Sequence, residues 1–214
     1  MKRSSRFSLR LPVVMVACAV LLPLAMAGAD DSSDAKVKAS FDAALHSKEG
    51  TAAERLAKAQ ALASGADGNP SLQITFAEEL AGFQRNDMND LKAALGTLDA
   101  GVLKFPDAPE RFLLVHDKID AMTPDDPDGA VAYAKTQWPL AQKADAKLLY
   151  WVAMPYLAAL HASGDDAGSA VLLQSVWANN LRNVGNWQGD WMAGDLVKSL
   201  LNSDRAHRLC LTPS

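Results

Sequence analysis

Histidines are the side chains of this chain best suited to acid–base chemistry near neutral pH. The four histidines are His46, His116, His161 and His207. Each lies alone in its predicted helix, and none belongs to the His-Glu-x-x-His pattern that binds zinc in hydrolases. A lone histidine on a helix is more often structural or solvated than catalytic.

Carboxylate pairs are the second candidate for such chemistry. Glu78 and Glu79 are adjacent, and neighbouring residues of a helix point about 100° apart, so they do not form a natural pair. His161 is close in sequence to Asp165 and Asp166, but acid–base catalysis requires such groups to converge on one cleft, which spacing alone does not show. The chain also contains no Gly-x-Ser-x-Gly elbow, phosphate-binding glycine loop or dinucleotide fingerprint. We therefore predict no catalytic residue and no enzyme activity.

A short acidic stretch between two predicted helices is similar to part of a calcium loop. It contains Asp125, Asp126 and Asp128, followed by Gly129. A complete loop needs a longer series of oxygen ligands and a bidentate glutamate near its end, and none follows at that spacing. Asp126 directly before Pro127 is instead typical of a helix cap. The sequence predicts no metal site and no cofactor.

The N-terminal segment has the three parts of a secretory signal peptide. A head with four basic residues precedes an apolar run over 11–25, and small residues end the segment. We expect cleavage between Ala27 and Gly28, so that 1–27 is the signal and 28–214 is one domain. The apolar run has about 15 residues, short of the ~20 that a spanning helix needs, which disfavours an uncleaved anchor.

The composition after cleavage is that of an acidic globular protein. The chain has 214 residues, a formal net charge of −4 and 49% hydrophobic residues. The signal carries four basic and no acidic side chains, so its removal leaves a net charge of −8 and Cys210 as the one cysteine. Such a charge disfavours nucleic acid and anionic lipid surfaces as partners. We expect a periplasmic protein without membrane insertion, with full secretion as the alternative.

Apolar residues recur at helical spacing along most of the chain, and no stretch alternates with the period of two that is typical of β-strands. The clearest stripe runs from Met88 to Phe105 in steps of three and four residues, the spacing of a coiled-coil seam. Capping residues mark helix starts at Thr51, Asn69 and Asp126. We expect about nine helices, the last over about 187–202, and an all-α fold.

One predicted helix is apolar on all sides. Residues 148–160 contain no polar break, which is typical of a central buried helix. Pro155 predicts a kink there, and a ligand pocket opened at the kink is the alternative. Tyr150 lies in this stretch and is a candidate binding residue. The preceding helix is expected to end before Pro139.

The starts of the predicted helices repeat at nearly regular intervals. If the helices pair as hairpins, the first helix of each pair begins near residues 34, 70, 109 and 145, at intervals of 36, 39 and 36 residues. A period of this size is typical of helical-hairpin arrays, in which each pair buries its apolar face against the next. The sequence therefore predicts about four hairpins and a C-terminal capping helix.

Residues 75–106 resemble a tetratricopeptide (TPR) repeat. The matching positions are Gly82 in the first helix and Ala94, Leu98, Gly101 and Pro106 in or after the second. Small residues allow the two helices of a hairpin to approach closely, and the larger residue fills the gap. Arg85 and Glu78 depart from the pattern, because each stands at a position that is usually aromatic. A second, weaker unit extends over about 157–171.

The resemblance implies a TPR-like α-solenoid that binds a peptide or partner domain along its concave face, which is lined mainly by the first helix of each hairpin. That face would be acidic or mixed, so a basic or apolar partner segment is expected. Arg85, in the best-matching unit, is a candidate binding residue. Trp187 and Trp191 are four residues apart and could anchor a partner chain from one helical face, or else cap the open end of the array.

These features together predict an exported protein-interaction or scaffold module. One alternative is a hydrolase of envelope polymers, which requires a deep pocket with a carboxylate and His116 or His161 within hydrogen-bond distance. Another is a toxin-neutralising periplasmic protein, which would use the same surface for one tight partner.

Overall fold

The computed structural model describes residues 21–66, 68–144 and 146–180. These ranges contain eight α-helices and no β-strand, which confirms the predicted all-α fold. The helices are α1 (Leu21–Leu45), α2 (Ala52–Ala63), α3 (Pro70–Asn86), α4 (Leu91–Lys104), α5 (Arg111–Met122), α6 (Pro127–Ala141), α7 (Ala146–Ser163) and α8 (Asp166–Asn180). The expected helix near 187–202 lies outside the described residues.

The first helix begins earlier than expected. The apolar pattern indicated a start near residue 34, whereas α1 begins at Leu21 and includes the backbone of Ala27 and Gly28. The segment before residue 34 is rich in leucine and alanine, which are strong helix formers and extend the helix in the N-terminal direction.

A reciprocal pair of hydrogen bonds starts α2. The Glu54 backbone N–H donates to Thr51 Oγ1 at 3.2 Å, and the Thr51 backbone N–H donates to Glu54 Oε2 at 2.8 Å. These bonds satisfy two backbone donors that the first turn of a helix otherwise leaves without partners. The predicted capping box is therefore confirmed.

Two further helices begin as the sequence indicated. Asn69 Oδ1 accepts a hydrogen bond from the Leu72 N–H at 3.1 Å, and Asp126 Oδ1 accepts one from the Gly129 N–H at 2.9 Å. Asp126 is therefore a helix cap, as its position before proline predicted. Among the described residues, no three His, Cys, Asp or Glu side chains lie where they could hold a metal ion.

The prediction that Pro139 ends its helix is wrong. Pro139 lies within the last turn of α6, which continues to Ala141. A proline so close to the C-terminus removes a single backbone hydrogen bond and leaves only two residues after it. Likewise, α7 continues past Pro155 to Ser163, and the proline does not interrupt it.

The apolar helix α7 is central to its part of the fold. It packs against α5, α6 and α8, and Val152, Leu157 and Leu160 are almost completely buried. This burial agrees with the expectation of a central helix that is apolar on all sides.

The core consists of three groups of buried side chains that follow one another along the chain. One group joins α1, α2 and α3, and at its centre the Phe41 and Phe76 rings stack with centroids 4.1 Å apart. The second joins α3, α4 and α5, and the third joins α5, α6, α7 and α8. Each helix packs against the next one, and α1, α3, α5 and α7 also pack against one another in that order.

The buried face of α4 differs from the predicted coiled-coil stripe. Ala94, Leu98 and Gly101 are buried, whereas Leu91 and Leu95 of the stripe are only half buried. The three buried positions are those of the TPR resemblance, where small side chains let helices approach closely. The side of α4 that faces the core is therefore the one with the small residues Ala94 and Gly101, and not the one that the coiled-coil spacing predicted.

At Gly101, α4 packs closely against both α3 and α5. A Cβ atom at this position would lie 2.5 Å from Leu114 Cδ1 on α5 and 3.4 Å from Ala77 Cβ on α3. Leu114 is fully buried, so its side chain would have to shift within the core to admit a Cβ atom at Gly101. Gly82 was expected to have the same role, but a Cβ atom there would meet nothing within 4 Å, so packing does not require glycine at that position.

We predict that Gly101→Val lowers the free energy of unfolding by about 2 kcal/mol, because the added methyl groups overpack the junction of α3, α4 and α5. Gly96→Val is the matched control on the same helix, since a Cβ atom at Gly96 meets open space. The control should change stability by no more than about 0.5 kcal/mol. Urea denaturation of both variants measures the difference, and equal effects would contradict the close approach at Gly101.

Candidate functional site

A series of polar and aromatic contacts connects α1 to α3, α3 to α5 and α5 to α7. Lys38 Nζ on α1 lies 2.9 Å from Glu79 Oε1 on α3, and this hydrogen bond is the main reason that the pKa of Lys38 is raised. Arg85 Nη1 on α3 lies 3.1 Å from Asp120 Oδ2 on α5. We call the surface formed by these side chains the odd-helix face. Its residues are Lys38, Asp42, Glu78, Glu79, Arg85, His116, Asp117, Asp120 and Trp151.

The odd-helix face extends from α5 to α7 through a histidine–tryptophan pair. His116 Nδ1 donates a hydrogen bond to the Trp151 carbonyl oxygen at 2.8 Å. The two rings also meet edge to face, with centroids 5.5 Å apart and an interplanar angle of 80°. Trp151 is nevertheless 45% exposed. This contact therefore fixes a large aromatic side chain at the surface.

Two carboxylates on this face are half buried. Burial raises the pKa of Glu78, and the nearby charge of Asp117 raises it further. Burial is also the main cause that raises the pKa of Asp117, with a smaller increase from Asp120. Within the part of the chain that the structure describes, neither carboxylate has a hydrogen bond or a cation within 4 Å. Each therefore loses hydration without a direct ion pair, and the positive charges of His116, Lys38 and Arg85 offset this loss only in part.

The odd-helix face has more negative than positive charge. Its nine residues include five carboxylates and two permanent cations. Both cations already bind carboxylates of this face, because Lys38 lies 2.9 Å from Glu79 and Arg85 lies 3.1 Å from Asp120. The surface potential that results attracts cationic groups and repels anionic ones.

A cavity of about 140 Å³ lies on this face between α3, α4 and α5, and Asp117 is among the residues that line it. Arg85 and Asp120 line it, and Gly82 keeps it open because it has no side chain. Small-molecule sites generally have volumes of about 300–1,000 Å³, so this cavity is suited to a single side chain of a partner.

The structure places one of the four predicted binding residues at this site. Arg85 lines the cavity. The backbone of Tyr150 is part of α7, but its side chain is not described. Trp187 and Trp191 lie outside the described residues. Of the four residues, Arg85 is the one whose side chain the structure describes.

Sequence reasoning did not identify the pairing of Glu78 with Asp117 or the exposure of Trp151. A signal for the face was nevertheless present in the spacing of contacting residues. Lys38 and Glu79 are 41 residues apart, and Arg85 and Asp120 are 35 apart, as are His116 and Trp151. These separations are close to the predicted hairpin period.

Comparison with known proteins found no match to a family model, a curated protein or a solved structure. Among the helices described, none is long and apolar enough to cross a membrane. The site must therefore be interpreted from its own geometry and charge.

We predict that Glu78→Gln and Asp117→Asn each stabilise the protein at pH 7. Because burial raises the folded-state pKa of both groups, the native protein loses stability as the pH rises from the unfolded-state value, about 4, through the folded-state pKa. The variants lack this loss, so their advantage over the wild type should disappear near pH 3. Because each substitution removes the same repulsion, the double variant should gain less than the sum of the two single gains.

Thermal unfolding between pH 3 and pH 8 measures these differences. Asp107→Asn removes an exposed carboxylate in the α4–α5 turn and is the matched control. It should change stability by no more than about 0.5 kcal/mol at any of these pH values. Destabilisation by both Glu78→Gln and Asp117→Asn at pH 7 would show that these charges have favourable partners.

Proposed function

We propose that the chain is an open array of helical hairpins of the TPR-like kind, with the odd-helix face as its concave side. The sequential packing of the helices supports this arrangement. Among the described helices, contacts join each helix to its neighbour, and each of α1, α3 and α5 to the next helix of the odd-numbered series. A closed bundle would also bring the first and last helices together, whereas an open array repeats the same contacts along its length.

The function that this geometry supports best is capture of a partner protein or peptide. The observation that carries the proposal is the negative charge of a surface that extends over four helices and whose two cations are already paired. A basic segment of a partner would supply the missing positive charge, and such complementarity speeds association and excludes anionic competitors. A toxin-neutralising protein would use the same face with one tight partner.

The hydrolase alternative has one favourable observation. His116 interacts electrostatically with Glu78 and Asp117 and offsets part of the increase in the pKa of each. Its other requirements are less well supported. His116 Nδ1 binds the Trp151 carbonyl oxygen and no carboxylate. The carboxylates Asp117 and Asp120 line the cavity of about 140 Å³, but no described histidine does. Asp165, the carboxylate near His161, caps α8 through the Gly168 N–H at 2.7 Å. We therefore favour binding over catalysis.

Partner capture should depend on the charge of the odd-helix face. We predict that the purified protein retains a partner from cell-envelope extract in a saturable manner, as measured by affinity purification and mass spectrometry. The double variant Glu79→Lys/Asp120→Lys should lose most of this binding, because it reverses two charges on the face.

The variant Glu49→Lys/Asp107→Lys is the matched control, since it makes the same charge change at two exposed residues in loops outside the face. It should retain the partner. The absence of any saturable partner at several salt concentrations, or equal loss of binding in both double variants, would contradict the proposed function.

The segment 1–27 supports export to the periplasm. We predict that the chain, expressed in a Gram-negative host, is recovered in the osmotic-shock fraction with Gly28 as its N-terminus by mass spectrometry. Ala27→Gln should block processing, because the position before the cut requires a small side chain. Ala29→Gln is the control that should still be cut. An intact N-terminus in the wild type would contradict cleavage.

A further inference from the structure

A second cavity, of about 310 Å³, lies between the end of α2, α3 and α4. We call it the α2–α4 cavity. Gln73, Ala77 and Leu80 form its α3 side. At about 100° per residue, these three positions lie on the opposite side of α3 from Glu78 and Arg85 of the odd-helix face. The cavity is therefore separate from the surface to which we assign partner capture.

The size of the α2–α4 cavity is that of a small-molecule site. Such sites have volumes of about 300–1,000 Å³. The side chains of Ala63, Ala77 and Ala100 are small and leave the space open. Leu80 and Phe105 supply larger apolar surfaces. At about 30 Å³ for each water-sized group, the cavity has room for about ten non-hydrogen atoms of a ligand.

One cation is held at this cavity. Among the described residues that line it, Lys104 is the only charged one, and it forms no ion pair with any described residue. Lys104 Nζ donates a hydrogen bond to Gln73 Oε1 at 2.6 Å, and Gln73 Nε2 donates one to the Ala66 carbonyl oxygen at 2.9 Å. The Gln73 amide is thus bound at both ends and positions the ammonium group. That group has three N–H donors, so two remain for a ligand.

The two hydroxyl groups that line the cavity already use their protons. Ser64 Oγ donates to the Ala61 carbonyl oxygen at 2.7 Å, and Thr97 Oγ1 donates to Gln84 Oε1 at 2.7 Å. Because a hydroxyl group has a single proton, neither can donate to a ligand as well. The polar group of a ligand is therefore selected by Lys104, whose positive charge favours an anion.

We propose that the α2–α4 cavity binds a small amphipathic carboxylate, with its carboxylate group at Lys104 Nζ and its hydrocarbon part against Leu80 and Phe105. Charge-assisted hydrogen bonds stabilise the carboxylate, and each CH₂ group removed from water adds to the affinity. A single cation matches the one charge of a carboxylate, whereas a phosphate monoester carries nearly two. This inference goes beyond the proposed function and does not depend on it.

An NMR titration of the ¹⁵N-labelled full chain with octanoate tests the proposal. Octanoate matches the estimated size of the ligand, 1-octanol has the hydrocarbon chain without the charge, and acetate has the charge without the chain. Octanoate should bind in a saturable manner and shift the backbone amide signals of the residues that line the cavity. It should bind at least about tenfold more tightly than either comparison compound, the factor expected for loss of a charged hydrogen bond or of most of the apolar contact.

The charge of Lys104 should determine the preference for an anion. We predict that Lys104→Met weakens octanoate binding about tenfold and leaves 1-octanol binding unchanged, because methionine keeps an apolar side chain and removes the ammonium group. Lys92→Met is the matched control, since Lys92 is an exposed lysine of α4 that does not line the cavity. It should bind octanoate like the wild type.

The open space should determine the binding of the hydrocarbon part. Ala100→Leu places a larger side chain in the cavity and should weaken the binding of both octanoate and 1-octanol. Ala132→Leu makes the same change at an exposed position of α6 and should have no effect. Because Lys104 and Ala100 are both exposed, their variants should unfold at nearly the same temperature as the wild type, so that a loss of binding would not be a folding defect.

Several outcomes would overturn the proposal. They are equal affinities for octanoate and 1-octanol, equal effects of Lys104→Met and Lys92→Met, and signal shifts confined to residues away from the cavity. Tighter binding of a short peptide with a C-terminal leucine carboxylate would identify a protein terminus, and not a small molecule, as the ligand. Lys104→Met should still retain a partner captured through the odd-helix face, so this proposal and the proposed function fail independently.

Discussion

Close packing at Gly101 holds three consecutive helices together, because a Cβ atom there would meet both Leu114 on α5 and Ala77 on α3. At this point α4 contacts both α3 and α5, and α3 and α5 also contact each other. Each described helix also packs against the next one along the chain, so the apolar surface is buried between consecutive helices. The odd-helix face follows this packing, since the contacts Lys38–Glu79, Arg85–Asp120 and His116–Trp151 each join two consecutive odd-numbered helices.

The two half-buried carboxylates have an unfavourable effect on the fold. Glu78 and Asp117 lose hydration and repel each other, while Lys38 and Arg85 bind other carboxylates of the same face. A cationic group from a partner would remove this unfavourable energy, so that part of the affinity would come from relief of a cost already present in the free protein. Perturbed ionisable groups at a surface cleft are typical of functional sites for this reason.

Local features of the fold could be predicted from the sequence, whereas contacts between distant residues could not. The capping box at Thr51 joins residues only three apart, so the residue types alone determine it. The pairing of Glu78 with Asp117 depends on how far α3 is shifted along α5, which periodicity does not specify. Gly82 and Gly101 illustrate the same difference, because only the packed structure shows that Gly101 is confined and Gly82 is not.

Glu78 and Asp117 lie half buried on the odd-helix face, and neither forms a direct ion pair with any described residue. The most direct test is an NMR titration that measures the pKa of both side-chain carboxyl groups in the free protein. We expect each pKa to lie above its ordinary value, because burial disfavours the charged form of both groups. Ordinary or lowered pKa values in the free protein would mean that the carboxylates are solvated or already paired, and would contradict the account.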